Sequence, residues 1–358
     1  MKSICFFNNK GGVGKTTLVC NIAAYIAEHF DRSVLLVDSD PQCNATQLLL
    51  PRAALDTLYA GRKGKVPTKP TRPLPIPPAR QTLFDVLQPI AKGEADIAAE
   101  IKPGKASRNR FRLDLLPGHP RVALLEDRLS QAWLDFGSGD LGGARRTNWS
   151  LQLLTRVRDD YDIVFFDVGP SLGALNRSVL VGVDYFFTPM SCDIFSIMGI
   201  TNISEWLNGW FKSYARSLDT CREQWDTEVN DYPIRDFSQT ALRFVGYAVQ
   251  QYITKSISGE RRATKAYERI LKKIPSIIRR DLGNFAKDRL TEADLKLGDV
   301  PNMFSLVPLA QDVNSPIHRL ESRDGLVGAQ YSQKETYKGF IDKLARNLLK
   351  NLDMETAP

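Results

Sequence analysis

"FFNNKGGVGKTTLVCNIAAYIAEHF", residues 6–30, is the stretch whose reading decides the fold. A short apolar run, "KSICFFN" at 2–8, leads into Lys10-Gly11-Gly12-Val13-Gly14-Lys15-Thr16-Thr17. Apolar residues then recur at helical spacing through Leu18, Ile22, Ala23, Ile26 and Ala27. Strand, glycine loop and helix in that order form a phosphate cradle. Glycines let backbone N–H groups turn inward around phosphate oxygens, and the helix N-terminus adds the positive end of its dipole. Lys15 is expected to reach the β- and γ-phosphates and the Thr16 hydroxyl to ligate Mg²⁺. The G-x-x-x-x-G-K-[ST] pattern is nevertheless broken, because the glycine due five positions before Gly14 is Asn9. Beside it stands a second lysine, Lys10, which an ordinary loop of this kind does not need. A glycine-rich turn with an adventitious lysine is the alternative reading, and a GKTT ending directly after a strand argues against it.

Further apolar runs set the architecture. "RSVLLVDSD" (32–40) and "YDIVFFDVG" (161–169) read as strands, as do "VDYFFTPM" (183–190), "LRFVGYAVQQY" (242–252) and "NMFSLVPL" (302–309). Near-continuous apolar strands alternating with helical patterns predict an α/β fold, a doubly wound and mainly parallel sheet with helices on both faces. The fold is of P-loop NTPase type with helical and loop insertions, and 1–358 reads as a single domain. Ligands in such sheets bind at the carboxyl ends of the strands. Asp38 and Asp40 end the second strand and Asp167 the third, in the apolar-run-then-Asp form of a Walker B. Each alone could be an N-cap or a turn residue; together with the loop they point to a metal-nucleotide site. Mg²⁺ usually keeps several waters, so Asp38 and Asp167 can act through them. One aspartate must orient the attacking water, and the residues leave the choice open.

The rest of the chain bounds the answer. Its 358 residues are 43% apolar and 25% charged, ordinary globular composition, and no apolar run is long enough to span a bilayer. A strand within the first ten residues leaves no room for a signal peptide. Five scattered cysteines without a CxxC pair, and three histidines, argue against a disulfide framework or zinc site and for a reducing cytoplasm. Net charge is +7, and 243–290 alone holds twelve Lys/Arg against four Asp/Glu, a net +8. Such concentration points to a face for a polyanion. Residues 51–80, rich in Pro and Lys/Arg, read as an exposed, partly flexible insertion. Residues 134–148, "LDFGSGDLGGARRTN", read as a glycine-rich loop. A helical insertion is expected over 203–241, where Trp206, Trp210 and Tyr214 form a stripe suited to core packing. An amphipathic helix is expected over 334–354.

At this point a resemblance emerges. "KGGVGKTT" (10–17), "VLLVDSDPQCNAT" (34–46), "DIVFFDVGPSLGALNRSVL" (162–180) and "DYFFTPMSCDIFSIMGI" (184–200) resemble the successive motifs of the ParA/MinD family of deviant Walker-A ATPases. "TLFDVL" (82–87), "LDLLPG" (113–118), "GYAVQQYITK" (246–255) and "VPLAQDV" (307–313) continue the match in order. "DPQ-x-x-x-T" at 40–46 resembles the ParA branch. Departures are Gly169 where a proline is usual, the 51–80 insertion and the helical stretch near 203–241.

The resemblance implies a nucleotide-sandwich homodimer hydrolysing ATP with Mg²⁺, in which Lys10 contacts phosphates held by the other subunit. It implies Lys10, Lys15 and Asp40 in catalysis, with Asp40 positioning water. Lys10, Gly11, Gly12, Val13, Gly14, Lys15, Thr16 and Thr17 would hold nucleotide, with Gln251 and Pro308 near adenine, and Thr16, Asp38 and Asp167 would serve Mg²⁺. The leading expectation is a cytoplasmic, bacterial or archaeal ATPase, nucleoid-associated when ATP-bound. Its ATP dimer binds nonspecific DNA and is released by hydrolysis that a partner protein stimulates. The DNA candidates are Arg261, Arg262, Lys265, Arg269, Lys272, Lys273, Arg279 and Arg280. The alternatives are a MinD-like positioning ATPase on a membrane, held by the amphipathic stretch "KGFIDKLARNLLKNL" (338–352), and a nucleotide-gated regulatory or defence switch. Missing paired cysteines disfavour metal-cluster carriers, and the absence of a tyrosine cluster in the tail disfavours a tyrosine kinase.

Overall fold

The structure, a computed structural model, describes residues 1–59, 81–250, 254–257, 260–263, 265–287, 289–303 and 305–355. Seven strands form one sheet in the order β3-β2-β4-β1-β5-β6-β9, with every pairing parallel. They are β1 Lys2–Phe6, β2 Val34–Asp38, β3 Asp114–Leu116, β4 Ile163–Asp167, β5 Tyr185–Ser191, β6 Arg243–Gln250 and β9 Lys296–Val300. A separate antiparallel pair is made by β7 Thr254–Ile257 and β8 Glu260–Ala263. The helices are α1 Lys15–His29, α2 Asn44–Leu49, α3 Arg52–Tyr59, α4 Leu83–Val86, α5 Gln88–Ala91, α6 Glu126–Gly137 and α7 Leu141–Thr147. They continue as α8 Trp149–Arg156, α9 Ala174–Gly182, α10 Ile194–Trp225, α11 Lys265–Leu282, α12 Glu292–Leu295, α13 Leu306–Asp312 and α14 Gln330–Asn351.

Side chains alternate across a strand, and here both sets are buried, which is why the central strands read as unbroken apolar runs. Cys5, Leu35, Val37, Val164 and Phe166 face one core, built with α6 and α8 to α11. Ile4, Phe6, Leu36, Ile163 and Phe165 face the other, built with α1, α2, α13 and α14. The expected doubly wound sheet is therefore present, and wholly parallel. β1 lies between β4 and β5, so the glycine loop leaves the middle of the sheet.

Three expectations are corrected. The stretch 302–309 is not a strand: the edge strand is β9, and α13 follows. Met303, Leu306 and Ala310 are buried at spacings of three and four, a helical period. The stretch 134–148 is not a loop but the end of α6 and all of α7. Its glycines serve close packing: a Cβ on Gly143 would lie 2.5 Å from the Phe136 backbone nitrogen and 2.9 Å from the Ala132 carbonyl. The helix in the stretch expected as a 203–241 insertion begins earlier, at Ile194, so the boundary of that insertion falls inside α10. Its core stripe is Ile203, Leu207, Tyr214, Leu218 and Cys221, with Trp210 packed alongside. Of the 51–80 insertion, Arg52–Tyr59 forms α3, and 60–80 lie outside the described residues.

Candidate functional site

The glycine loop turns because Gly12 and Gly14 take left-handed backbone angles, φ 73° and 77°, which carry little cost for glycine alone. Gly14 is also the N-cap of α1. A Cβ on Gly11 or Gly12 would meet nothing within 4 Å, since both border open space. That space is a cavity of about 670 Å³ lined by Gly11 to Thr17, Asp40, Gln42, Asn44, Gln47, Leu48, Pro170 and Gln311. Asn8 braces the loop: its Nδ2 donates to the Pro189 carbonyl at 2.7 Å, and its Oδ1 accepts from the Lys10 N–H at 2.8 Å. Asn9, in the place of the missing glycine, packs against α10. Gly199 leaves it room: a Cβ there would lie 2.8 Å from its Oδ1.

Strand register brings the aspartates in. Asp38 and Asp167 are direct partners across β2 and β4, and Asp167 is also the partner of Phe6, at the end of β1. Asp167 is fully buried, and neither carboxylate oxygen has a hydrogen-bond partner. Burial pushes its carboxyl well above the ordinary range, and the neighbouring Asp38 adds to the rise; Thr16 and Lys15, also beside it, oppose the rise. A buried, unpartnered carboxylate at a phosphate loop is costly unless a cation completes it. The residues present thus fit Mg²⁺, with Asp167 and Thr16 to hold it.

Asp38 is engaged differently. Its Oδ2 accepts from the Thr46 hydroxyl at 2.6 Å and N–H at 2.8 Å, and the same hydroxyl accepts from the Gly118 N–H at 2.8 Å. The carboxylate so ties β2 to α2 and to the loop after β3. Asp40 borders the cavity, the one carboxylate among its described lining residues, with Oδ1 accepting from the Gln42 N–H at 2.9 Å. Gly169, standing where the family's usual residue is proline, keeps clear of it: a Cβ there would lie 3.1 Å from Asp40 Oδ1.

The two lysines are placed apart. Lys15 is buried, and its Nζ donates to the Lys10 carbonyl at 3.1 Å. Burial lowers its ammonium from the ordinary value, while Asp167 and Asp40 work against that. Lys10 turns away to an ion pair with Asp193, the N-cap of α10. Ile194, Phe195 and Met198 follow it, 61%, 68% and 59% exposed.

A smaller cavity of about 260 Å³ lies behind the loop, lined among others by Thr17, Gln250, Pro301, Asn302, Pro308 and Tyr337. Pro308 is thus near the loop helix, while Gln251 lies outside the described residues; its neighbour Gln250 donates to the Val13 carbonyl at 3.0 Å. Of the basic candidates, Arg269, Lys272, Lys273, Arg279 and Arg280 are exposed along α11, opposite buried Ile274, Ile278 and Leu282. The side chains of Arg261, Arg262 and Lys265 lie outside the described residues. Sequence reading passed over Asn8, Asp193 and the role of Thr46. Asp193 carried a signal, since Asp three residues before Ser is an N-cap spacing, and its Oδ1 accepts from the Ser196 N–H at 2.9 Å.

The chain is similar to known proteins. The sequence model of a family described as an AAA domain matches residues 1–220. The chromosome partitioning protein ParA of Caulobacter vibrioides is 29% identical over 209 residues, 57% of this chain and 61% of that protein. The chain spans about three-fifths of the length of curated relatives such as this one. The crystal structure of protein DIP2308 from Corynebacterium diphtheriae is 33% identical with a TM-score of 0.73, covering 98% of this chain and 99% of that one. The structure of pNOB8 ParA bound to nonspecific DNA shares the fold at 16% identity and a TM-score of 0.53, covering 98% of each chain.

Proposed function

This chain belongs to the ParA/MinD family of P-loop ATPases, and on that premise we propose that it is an ATP-dependent switch of ParA type. It binds ATP, pairs with a second copy across the two nucleotides, and holds DNA nonspecifically in that state. Hydrolysis to ADP and phosphate, stimulated by a partner protein, releases it. Partition of DNA or positioning of another cargo, in the cytoplasm, is the work such a cycle performs. The observation that carries the reading is Asp167, fully buried with neither carboxylate oxygen hydrogen-bonded, beside Lys15 and Thr16 of the glycine loop.

The N–H groups of the loop and the start of α1 cradle the phosphates, and Lys15 leaves the Lys10 carbonyl to neutralise them. Thr16 and Asp167 would hold Mg²⁺, which would neutralise charge on the phosphoryl oxygens. Asp40, on the cavity wall, orients water; Asp38 acts through Thr46, fixing the segment that carries Asp40. Adenine is assigned to the cavity with Pro308, and Gln251 remains its second candidate contact. Lys10 is held by Asp193 within its own chain, next to exposed Ile194, Phe195 and Met198, which a second copy would cover. Freed there, Lys10 reaches the partner's phosphates. The basic face of α11 is doubled in a dimer, which strengthens counterion release steeply without base readout. That pNOB8 ParA is bound to nonspecific DNA supports DNA as the ligand of this state. The membrane alternative loses its feature, since the apolar stripe of α14 is buried in the core.

DNA retention with ATP, ADP and no nucleotide tests the scheme in wild type, Lys10→Ala and Asp40→Ala. Wild type retains DNA with ATP alone, and retention falls as salt rises. Lys10→Ala loses ATP-dependent pairing and turnover, whereas Asp40→Ala stays trapped on DNA. Wild-type behaviour in both variants overturns the scheme.

A further inference from the structure

Read along the chain, five scattered cysteines and three histidines speak against a zinc site. The fold changes that count, because two of the three histidines meet beside a glutamate. Glu28 and His29 end α1, and His318 arrives from the segment after α13; the ligand atoms of all three lie within 4.8 Å of one another. We propose that Glu28, His29 and His318 form a second cation site, for a divalent transition ion of zinc type, that clips the end of α1 to the carboxyl-terminal part of the chain.

The donors suit such an ion. His318 Nε2 and Glu28 Oε2 share a hydrogen bond of 3.0 Å, whose proton an ion bound between them would replace. His29 lies with its Nδ1 3.2 Å from the Tyr25 carbonyl, which places the proton on Nδ1 and leaves Nε2 bare. A backbone carbonyl behind a ring nitrogen is the usual support of a ligating histidine. Tyr25 stacks on the His29 ring at 4.0 Å between centroids and donates its hydroxyl to Asp342 on α14 at 3.0 Å, so the ring plane is fixed. His318 is 93% buried by its 7% exposure, and its Nδ1 has no partner. Glu28 is exposed, and Arg319 Nε lies 3.7 Å from its Oε1 as the cation an ion would compete with. Two nitrogens and one carboxylate leave a position for water, and imidazole with carboxylate selects zinc-type ions over Mg²⁺.

This site is distinct from the nucleotide site. α1 has 15 residues and starts at Lys15, so the cluster is at its far end, roughly 22 Å along the axis. An ion there would hold the helix that carries the phosphate loop against the segment leading to α14.

The test titrates the tag-free, nucleotide-free full chain with ZnCl₂ by calorimetry and with CoCl₂ by visible absorption. One ion per chain is expected, with a ligand-field spectrum for cobalt. Glu28→Gln and His29→Ala, both near the surface, should each weaken binding about tenfold or more while leaving circular dichroism unchanged. Asp167→Asn should leave it intact. Absence of saturable binding at one ion per chain overturns the proposal. So does binding that survives both ligand variants, or binding lost with Asp167→Asn, which would put the ion at the phosphate loop. Loss of nucleotide-dependent DNA retention bears on the proposed function and leaves this result standing.

Discussion

At the scale of single residues, the site holds carboxylates the free chain would rather not keep. Asp38 and Asp167 are fully buried side by side at the ends of β2 and β4, and burial pushes both above their ordinary values, Asp38 to about 7. The sign of the pH effect follows. Unfolded, these groups release their protons near 3.9; folded, Asp38 keeps its proton until about 7, and Asp167 also releases its own later than it would unfolded. The contribution of Asp38 to stability is therefore present below about 4 and lost as pH rises through about 7, and Asp167 adds a loss of the same sign. Asp167→Asn removes the unpartnered charge and is expected to stabilise the nucleotide-free protein by about 1–3 kcal/mol at pH 8, and to flatten that slope. Calorimetric unfolding across pH checks it. The same variant should lose the rise in melting temperature that ATP with Mg²⁺ produces in wild type. A variant less stable than wild type at pH 8 would show that Asp167 is paired in solution. Asp167 was legible in the sequence as the end of an apolar run. That Asp38 is bonded to Thr46, whose hydroxyl in turn accepts from the Gly118 N–H, was not, since the second of these bonds crosses 72 residues.

At the scale of elements, the glycine pair in α7 shows how a helix hides in a loop-like sequence. Gly142 and Gly143 weaken local helix preference, yet Asp140 caps α7 through the Gly143 N–H and the pair sits against α6. The two positions should answer an alanine differently. At Gly143 the added Cβ meets backbone of α6 at 2.5 Å and 2.9 Å, so Gly143→Ala is expected to cost about 1–3 kcal/mol. At Gly142 it meets only the ends of the Asp140 and Arg146 side chains, at 3.1 Å and 3.2 Å. Helix propensity offsets that contact, and Gly142→Ala should stay within about 1 kcal/mol of wild type. Urea midpoints of the two variants decide the matter; equal effects would mean that α6 and α7 are not in close contact. The misread segment at 302–309 has a related cause, since a short apolar run fits strand and buried helix alike until its neighbours are known.

At the scale of the whole molecule, α14 closes the face of the sheet that carries α1. Ile341, Leu344, Leu348, Leu349 and, just after it, Leu352 are fully buried in the core with β1, β2 and β4. Each contributes about 1.5–3 kcal/mol on burial, a sum comparable with the roughly 5–15 kcal/mol that holds a folded chain together. Truncation before Lys338 is therefore expected to give a chain without cooperative unfolding, rather than a folded one freed from a membrane. Near-ultraviolet circular dichroism with a thermal scan distinguishes these outcomes, and a native spectrum would show that the helix is dispensable. The sequence by itself determined the parallel sheet, the glycine loop with its two lysines, and the aspartates at strand ends. Each of those is written in contiguous residues whose period or spacing carries the physics. Only the tertiary structure decided that Asp167 stands unpartnered while Asp38 is bonded, that Lys10 rests on Asp193, and that Glu28, His29 and His318 converge. Those facts depend on which distant side chains share one small volume, and local periodicity does not encode that.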